Sequence, residues 1–345
     1  DKLYRYKFFL LGTDGLEHES RVEGKNKLIA RMDVDGTNDI MHSFAYHTDQ
    51  QYREEVAQLP NDETTKVFTE GGNEYMYNRL SGNRGLHPIF NVNHLMSRFD
   101  IYVKGGNPKN SNACDFLKIF VTDVSIEAAK TIDVTVADDK WERDEYITQF
   151  KENKLFNIVG QPSWFDLQIV DNEMKNTEFT LSNRADMDFD YLATEVEEYS
   201  RIFGEDIIPE NSHWVSDTNR DSLCKTILLP PYPTGIKDPA STSSNPERQF
   251  VLNFRYRYLN MHYDQNSGRY HLGEKSGDVS KASIWEDFSV TIYIPNEDEN
   301  GEKVQYIGGR KYSVVITVYG KSSILVDVLR PTMWENGGDI DAGGD

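Results

Sequence analysis

The chain has 345 residues and a formal net charge of -20. That length suits two domains with cores of their own, and a negative field of that size repels phosphate backbones, which excludes nucleic acid as a partner. Aromatics make up 12% of the residues, with 19 Tyr and 17 Phe, so disorder is excluded as well. Aromatic and β-branched side chains fit pleated surfaces, and the composition points to strands.

In chain order, Leu3 to Leu11 (LYRYKFFLL) alternates and then turns apolar. Leu28 to Val34 is the next strand candidate. Asp39 to Ala45 and Gln50 to Gln58 read as short helices. Phe99 to Val103 alternates cleanly, and Phe116 to Ser125 and Thr131 to Val136 follow at meander spacing. Lys151 to Gln161 reads as a linker, which divides the chain into domains at 1–155 and 156–345. Trp164 to Val170 and Glu178 to Leu181 are short strand candidates. Tyr191 to Phe203 carries apolar residues at helical spacing. Pro230 to Pro246 is a long polar loop. Gln249 to Leu259 and Phe288 to Ile294 alternate, and Tyr312 to Tyr319 with Ile324 to Val328 predicts a terminal hairpin. No βαβ rhythm occurs, so the fold class is all-β with a few short helices.

Chemistry-bearing patterns are sparse. Asp33 to Asp39 (DVDGTND) starts like a calcium loop, but Phe44 stands where the distal Glu of an EF-hand belongs, and an acidic turn explains the segment. His42 with His47, and His87 with His94, lack the spacing of a zinc protease. Cys114 and Cys224 have no metal-ligand spacing and read as buried thiols. Nucleophile-elbow, phosphate-loop and dinucleotide motifs are absent from the sequence. The expectation is therefore no enzyme, no cofactor and no metal. Trp141, Trp164, Trp214 and Trp285 offer one alternative, a platform for sugar rings, against the ordinary role of core tryptophans. The longest apolar runs are too short for a membrane helix. The chain opens at Asp1 rather than Met, so a processed precursor with a signal peptide upstream is expected.

Four segments together resemble the fimbrillin superfamily of Bacteroidetes, the subunits of type V pili. They are Asp39-Ile40-Met41-His42-Ser43, His94-Leu95-Met96-Ser97-Arg98-Phe99, Gly309 to Val318, and Ile324 to Val328 followed by Trp334 to Gly338. The stretch from about 140 to 245 has no counterpart. The resemblance implies two transthyretin-like β-sandwich domains, export to the outer membrane through an upstream lipid anchor, and assembly by strand exchange. It implies other fimbrial subunits as partners, with a host or bacterial surface ligand besides. On this chain Leu3, Tyr4, Phe8, Phe9 and Leu11 are the candidate removable strand, with processing at Arg21 or Arg31. Tyr312, Val314, Ile316, Val318, Ile324, Val326 and Val328 form the candidate donor or docking hairpin. The runner-up is a surface glycan-binding lipoprotein on the same kind of fold.

Overall fold

The computed structural model describes residues 7–45, 89–106, 116–170, 189–209, 211–215, 220–233, 248–275, 279–319, 324–333 and 339–341. The strands up to the first helix are β1 (Phe9–Gly12), β2 (His18–Glu23), β3 (Lys27–Asp33), β4 (Met41–Phe44), β5 (Ile89–Asn91), β6 (Asn93–His94), β7 (Ser97–Gly105), β8 (Phe116–Ala128) and β9 (Thr131–Asp138). Helix α1 (Arg143–Lys151), β10 (Phe156–Val159), β11 (Ser163–Asp166) and α2 (Phe189–Phe203) follow. Then come β12 (His213–Trp214), β13 (Asp221–Ser222), β14 (Ile227–Leu229), β15 (Val251–Asp264), β16 (Arg269–Leu272), α3 (Lys281–Ile284) and β17 (Trp285–Tyr293). The chain closes with β18 (Arg310–Val318), β19 (Ile324–Val328), β20 (Thr332–Met333) and β21 (Asp339–Asp341). Strands dominate and the fold is an all-β sandwich, as the sequence predicts.

A larger sandwich holds the main core. One sheet runs β11-β8-β15-β16, with β12 also on β8 and β17 also on β15; the other runs β13-β7-β18-β19, with β14 on β7 and β20 on β18. Period-2 patterning explains what they bury. Phe99, Ile101 and Val103 of β7 meet Tyr312, Val314, Ile316 and Val318 of β18, all at most 1% exposed. Across the gap lie Leu252, Phe254, Tyr256 and Tyr258 of β15. On β8 the inward set changes phase, from Ile119 and Val121 to Val124 and Ile126. The cause is a bulge: Tyr256 pairs with Val121 and Arg255 with Asp123, which leaves Thr122 without an opposite residue.

A smaller sandwich packs β1-β4-β6 against β10-β9-β3-β2. Its core joins Met32 of β3, Phe44 of β4, Ile132 and Val134 of β9 and Phe156 of β10, closed by Trp141 and by Tyr146 of α1. Helix α2 caps a third cluster on the far face of β15, around Trp214, Leu259, Met261 and Trp285.

Three sequence expectations change. The division at 155/156 does not follow the packing. β7 and β8 precede it yet form the centre of the larger sandwich with β18 and β15, while Leu155 and Phe156 sit together in the smaller core. Asp39 to Ala45 contains a strand rather than a helix, because each residue of β4 pairs with one of β1. The expected linker at 151–161 holds the end of α1 and β10. Residues 50–58 and 178–181 lie outside the described residues. Helix α2 and the β18–β19 hairpin form where the sequence places them.

Candidate functional site: the open sheet edges

Strand exchange requires a strand held weakly at an edge, over an apolar slot. β1 has that form. It pairs with β4 alone, Phe9 opposite Phe44 and Gly12 opposite Met41. Its outer side carries no strand among the described residues. Phe9 stacks on Phe44 with centroids 5.0 Å apart and meets Trp141 edge-on at 6.0 Å. Phe9 and Leu11 fill one slot in the smaller core, and Leu10 leans on Phe90 and Val92. All four residues are only half-buried. Half-buried apolar side chains contribute about 1 kcal/mol each, and ladder hydrogen bonds contribute about 1 kcal/mol each. Ordering the backbone costs roughly 1–2 kcal/mol per residue, so the two sides nearly cancel. Leu3 and Tyr4 lie outside the described residues, and Phe8 precedes the strand, 37% exposed.

Beside β1 a groove of about 650 Å³ opens toward the β2–β3 hairpin, lined by Lys7, Phe9, Val22, Lys25, Lys27 and Leu28. Lys7 anchors the entry to β1. Its Nζ donates to Trp141 O at 2.7 Å and pairs with Glu142 at 3.3 Å. Three lysines on one groove contrast with the acidic charge of the chain.

The processing candidates have another task. Arg21 lies on β2 and Arg31 on β3, and both guanidiniums hold the Asp133 carboxylate of β9. Arg31 binds it through two nitrogens, at 2.7 and 3.0 Å. Arg31 first, then Arg21, keeps the Asp133 carboxyl well below the usual carboxylate range. Both peptide bonds after these arginines sit inside paired strands. A protease needs extended backbone free of such pairing, so the cleavage expectation is withdrawn for the folded chain.

The hairpin candidate splits in two. β18 is central, parallel to β7 on one side and antiparallel to β19 on the other. Tyr312, Val314, Ile316 and Val318 are buried in the main core. The Tyr312 hydroxyl accepts from Ile307 N at 2.7 Å and donates to Gln305 O at 2.9 Å. Donating β18 would dismantle the larger sandwich, so that part of the expectation is corrected. β19 is the edge. Ile324 packs partly on the core, Val326 and Val328 are buried, and Leu325 is 46% exposed. Val328 O accepts from Glu299 N at 3.1 Å, which covers one end. β17 is a second long edge, paired with β15 alone, where Phe288, Val290 and Ile292 face inward and alternate with exposed residues.

The remaining motifs resolve into structure. The Asp35 carboxylate accepts from Thr37 N at 2.8 Å and Asn38 N at 3.2 Å, and Asp39 pairs with His94. No group of three metal-ligating side chains occurs among the described residues. His42 is buried and neutral, with Nε2 donating to Val136 O at 2.8 Å and Nδ1 accepting from the Tyr146 hydroxyl at 3.0 Å. Trp141, Trp214 and Trp285 are core residues, and of the four candidate sugar-stacking tryptophans Trp164 alone is exposed. Cys224 is buried, which pushes its thiol up to about 12; Cys114 lies outside the described residues. Among the described residues no helix is long and apolar enough to cross a membrane.

No family model matches the chain, and no curated protein matches it. Among solved structures, it is similar to a chain named as a candidate cell adhesion protein from Bacteroides eggerthii, at 9% identity and TM-score 0.34, over 90% of this chain and 78% of that one. Two chains named in the same way come from Parabacteroides distasonis. One aligns at 14% identity and TM-score 0.34, over 97% of this chain and 100% of that one. The other aligns at 10% identity and TM-score 0.35, over 90% and 80%. At these values the likeness is remote, and the functional reading rests on the geometry of this chain's own edges.

Proposed function

We propose that this chain is a structural and adhesive subunit of a cell-surface fimbria, joined to its neighbours by β-strand exchange. The observation that carries the reading is β1, a four-residue strand with one neighbour, half-buried over a slot made by Phe44 and Trp141. An incoming strand would regain its main-chain hydrogen bonds from β4 and place alternate side chains where Phe9 and Leu11 stand. The chain reaches the surface as an exported precursor with an upstream lipid anchor, and its partners are other fimbrial subunits. Its lack of an organised metal or tryptophan platform among the described residues gives the glycan-binding alternative little support.

A protease site placed in the turn at 13–17, between β1 and β2, tests this. Cutting frees β1 without removing it. The cut chain should form a ladder on an unboiled detergent gel, suppressed by excess peptide 7–12, while the uncut chain stays monomeric. A cut chain that stays monomeric, or a ladder indifferent to the peptide, refutes exchange at β1.

A further inference from the structure

The β15–β16 hairpin closes through residues 265–268, and α2 lies against β16. Three side chains from these elements form one line of hydrogen bonds. Glu195 of α2 is buried, 8% exposed. One of its carboxylate oxygens accepts from Leu272 N at 2.8 Å, and the other lies 2.7 Å from His271 Nδ1. A carboxylate can only accept, so Nδ1 carries the ring proton. In the neutral ring Nε2 is then the lone-pair nitrogen and faces the Ser267 hydroxyl at 2.8 Å; that hydroxyl also lies 3.5 Å from the Asp264 carbonyl oxygen. The ring is fixed on both sides. His262 stacks on it at 5.9 Å, Tyr191 meets it edge-on at 5.2 Å, and the Tyr191 hydroxyl lies 3.3 Å from Nδ1.

The acid is buried, the imidazole half-buried and the serine exposed. That gradient is the one a nucleophilic serine uses: a base within reach of its proton and an orienting acid behind the base. Turn closure accounts for the serine's contact with Asp264 but not for its 2.8 Å contact with His271. Asp264 already closes the turn, its carboxylate accepting from Asn266 N at 3.0 Å and Ser267 N at 3.3 Å and its carbonyl from Gly268 N at 2.9 Å. A turn also has no need of a carboxylate from a separate helix. Beside the line lies a cavity of about 230 Å³, lined by His262, Asp264, His271, Leu272 and Lys275 among others. Ser267 is not on its lining; the cavity meets the line at His271 and has room for a small polar leaving group.

We propose that Ser267 is an activated nucleophile that takes an acyl group from an activated carboxylic ester. Ser267 Oγ attacks the ester carbonyl while His271 Nε2 receives its proton. The bond to the alkoxy oxygen breaks, the alcohol leaves with the proton from Nε2, and the acyl group stays on Ser267. Glu195 acts through His271 as a positioning residue. The N–H groups of Asn266, Ser267 and Gly268 are all committed to Asp264, so they are not available to steady an oxyanion. Both acylation and release are slow without that help, and because an activated ester has a better leaving group than the serine ester, acylation to one equivalent followed by still slower release is expected.

The full chain is treated with p-nitrophenyl acetate and, separately, with a fluorophosphonate. The expected result is a burst of one equivalent of nitrophenolate and a single fluorophosphonate adduct that peptide mapping places on Ser267. Ser267→Ala, on an exposed turn, abolishes both and keeps the unfolding curve. Glu195→Gln slows labelling by roughly 100-fold, and Glu195→Asp restores part of it, which a purely structural role for the acid does not predict. The proposal is overturned if Ser267 labels no faster than the exposed Ser289 in the wild type. It is overturned equally if Ser267→Ala leaves burst and adduct unchanged.

Discussion

Phe9 lies face to face on Phe44, 5.0 Å between ring centroids and 15° between planes, as the main apolar hold on the first strand. Its weakness is measurable. Phe9→Ala should lower stability by about 1–2 kcal/mol, below the usual cost for a buried aromatic because Phe9 is half-exposed. Ile316→Ala, at the centre of β18, should cost about 2–5 kcal/mol. Urea unfolding of the two variants gives the comparison. Equal losses would make β1 as integral as β18 and remove the basis for exchange.

Arg21 and Arg31 share Asp133, and that shared ion pair ties three strands together. Limited trypsin digestion of the folded chain should leave the bonds after both arginines intact. Asp133→Asn removes the common partner and should make them early cleavage sites. Rapid cutting at Arg21 or Arg31 in the wild type would restore them as processing points.

The turn before β18 presses on the strand ends of the smaller sandwich. A β-carbon at Gly308 would meet Leu95 O at 2.6 Å and His94 O at 2.7 Å, both backbone atoms that cannot swing aside. Gly309 N donates to Met96 O at 3.0 Å, and the Ser97 hydroxyl to Ile307 O at 3.1 Å. Gly308→Ala should therefore cost roughly 1–3 kcal/mol by overpacking. A thermal midpoint equal to that of the wild type would show that the turn yields to the added methyl.

Burial holds the His42 imidazole at about 4, below its ordinary 6.5. The folded chain keeps it neutral, while the unfolded chain binds a proton below pH 6.5. The stabilising share is present above pH 6.5 and is lost as pH falls towards 4, by roughly 3 kcal/mol. His42→Gln should be less stable at pH 7.5 yet show a flatter acid limb in urea midpoints between pH 7 and 4. Parallel limbs for the two proteins would mean that other groups set the acid response.

Strand identity was legible wherever alternation was long and local. β7, β15, β18 and β19 follow directly from the placement of Phe, Tyr, Val and Ile. β4 was not legible, because His42, Ser43 and Phe44 acquire strand geometry through pairing with β1 and β6 rather than from local alternation. The division into units was hidden for the same reason: β7 precedes β8 and β9 at meander spacing, but it pairs with β13, β14 and β18. The Glu195, His271 and Ser267 line was out of reach of any motif. It depends on α2 docking on the β15–β16 hairpin, and its residue types are ordinary in a chain with 57 acidic side chains. The edge status of β1 was partly visible, since Leu3 to Leu11 alternates before it turns apolar, as a strand with one face open can.

The parallel pairing of β7 with β18 also governs when the molecule can fold. β7 lies near residue 100 and its parallel partner begins at Arg310, so the central ladder closes only after more than 200 further residues have been made. Such long-range closure makes folding slow and leaves strand edges exposed meanwhile. β7 can take β13 and β14, and β8 can take β11, β12 and β15, as these emerge, but the edge of β7 that β18 covers stays open until Val318 is made. Quality control is thus written into the topology: until β18 is made, one long edge of β7 stays open, and an open edge advertises the chain to chaperones and proteases.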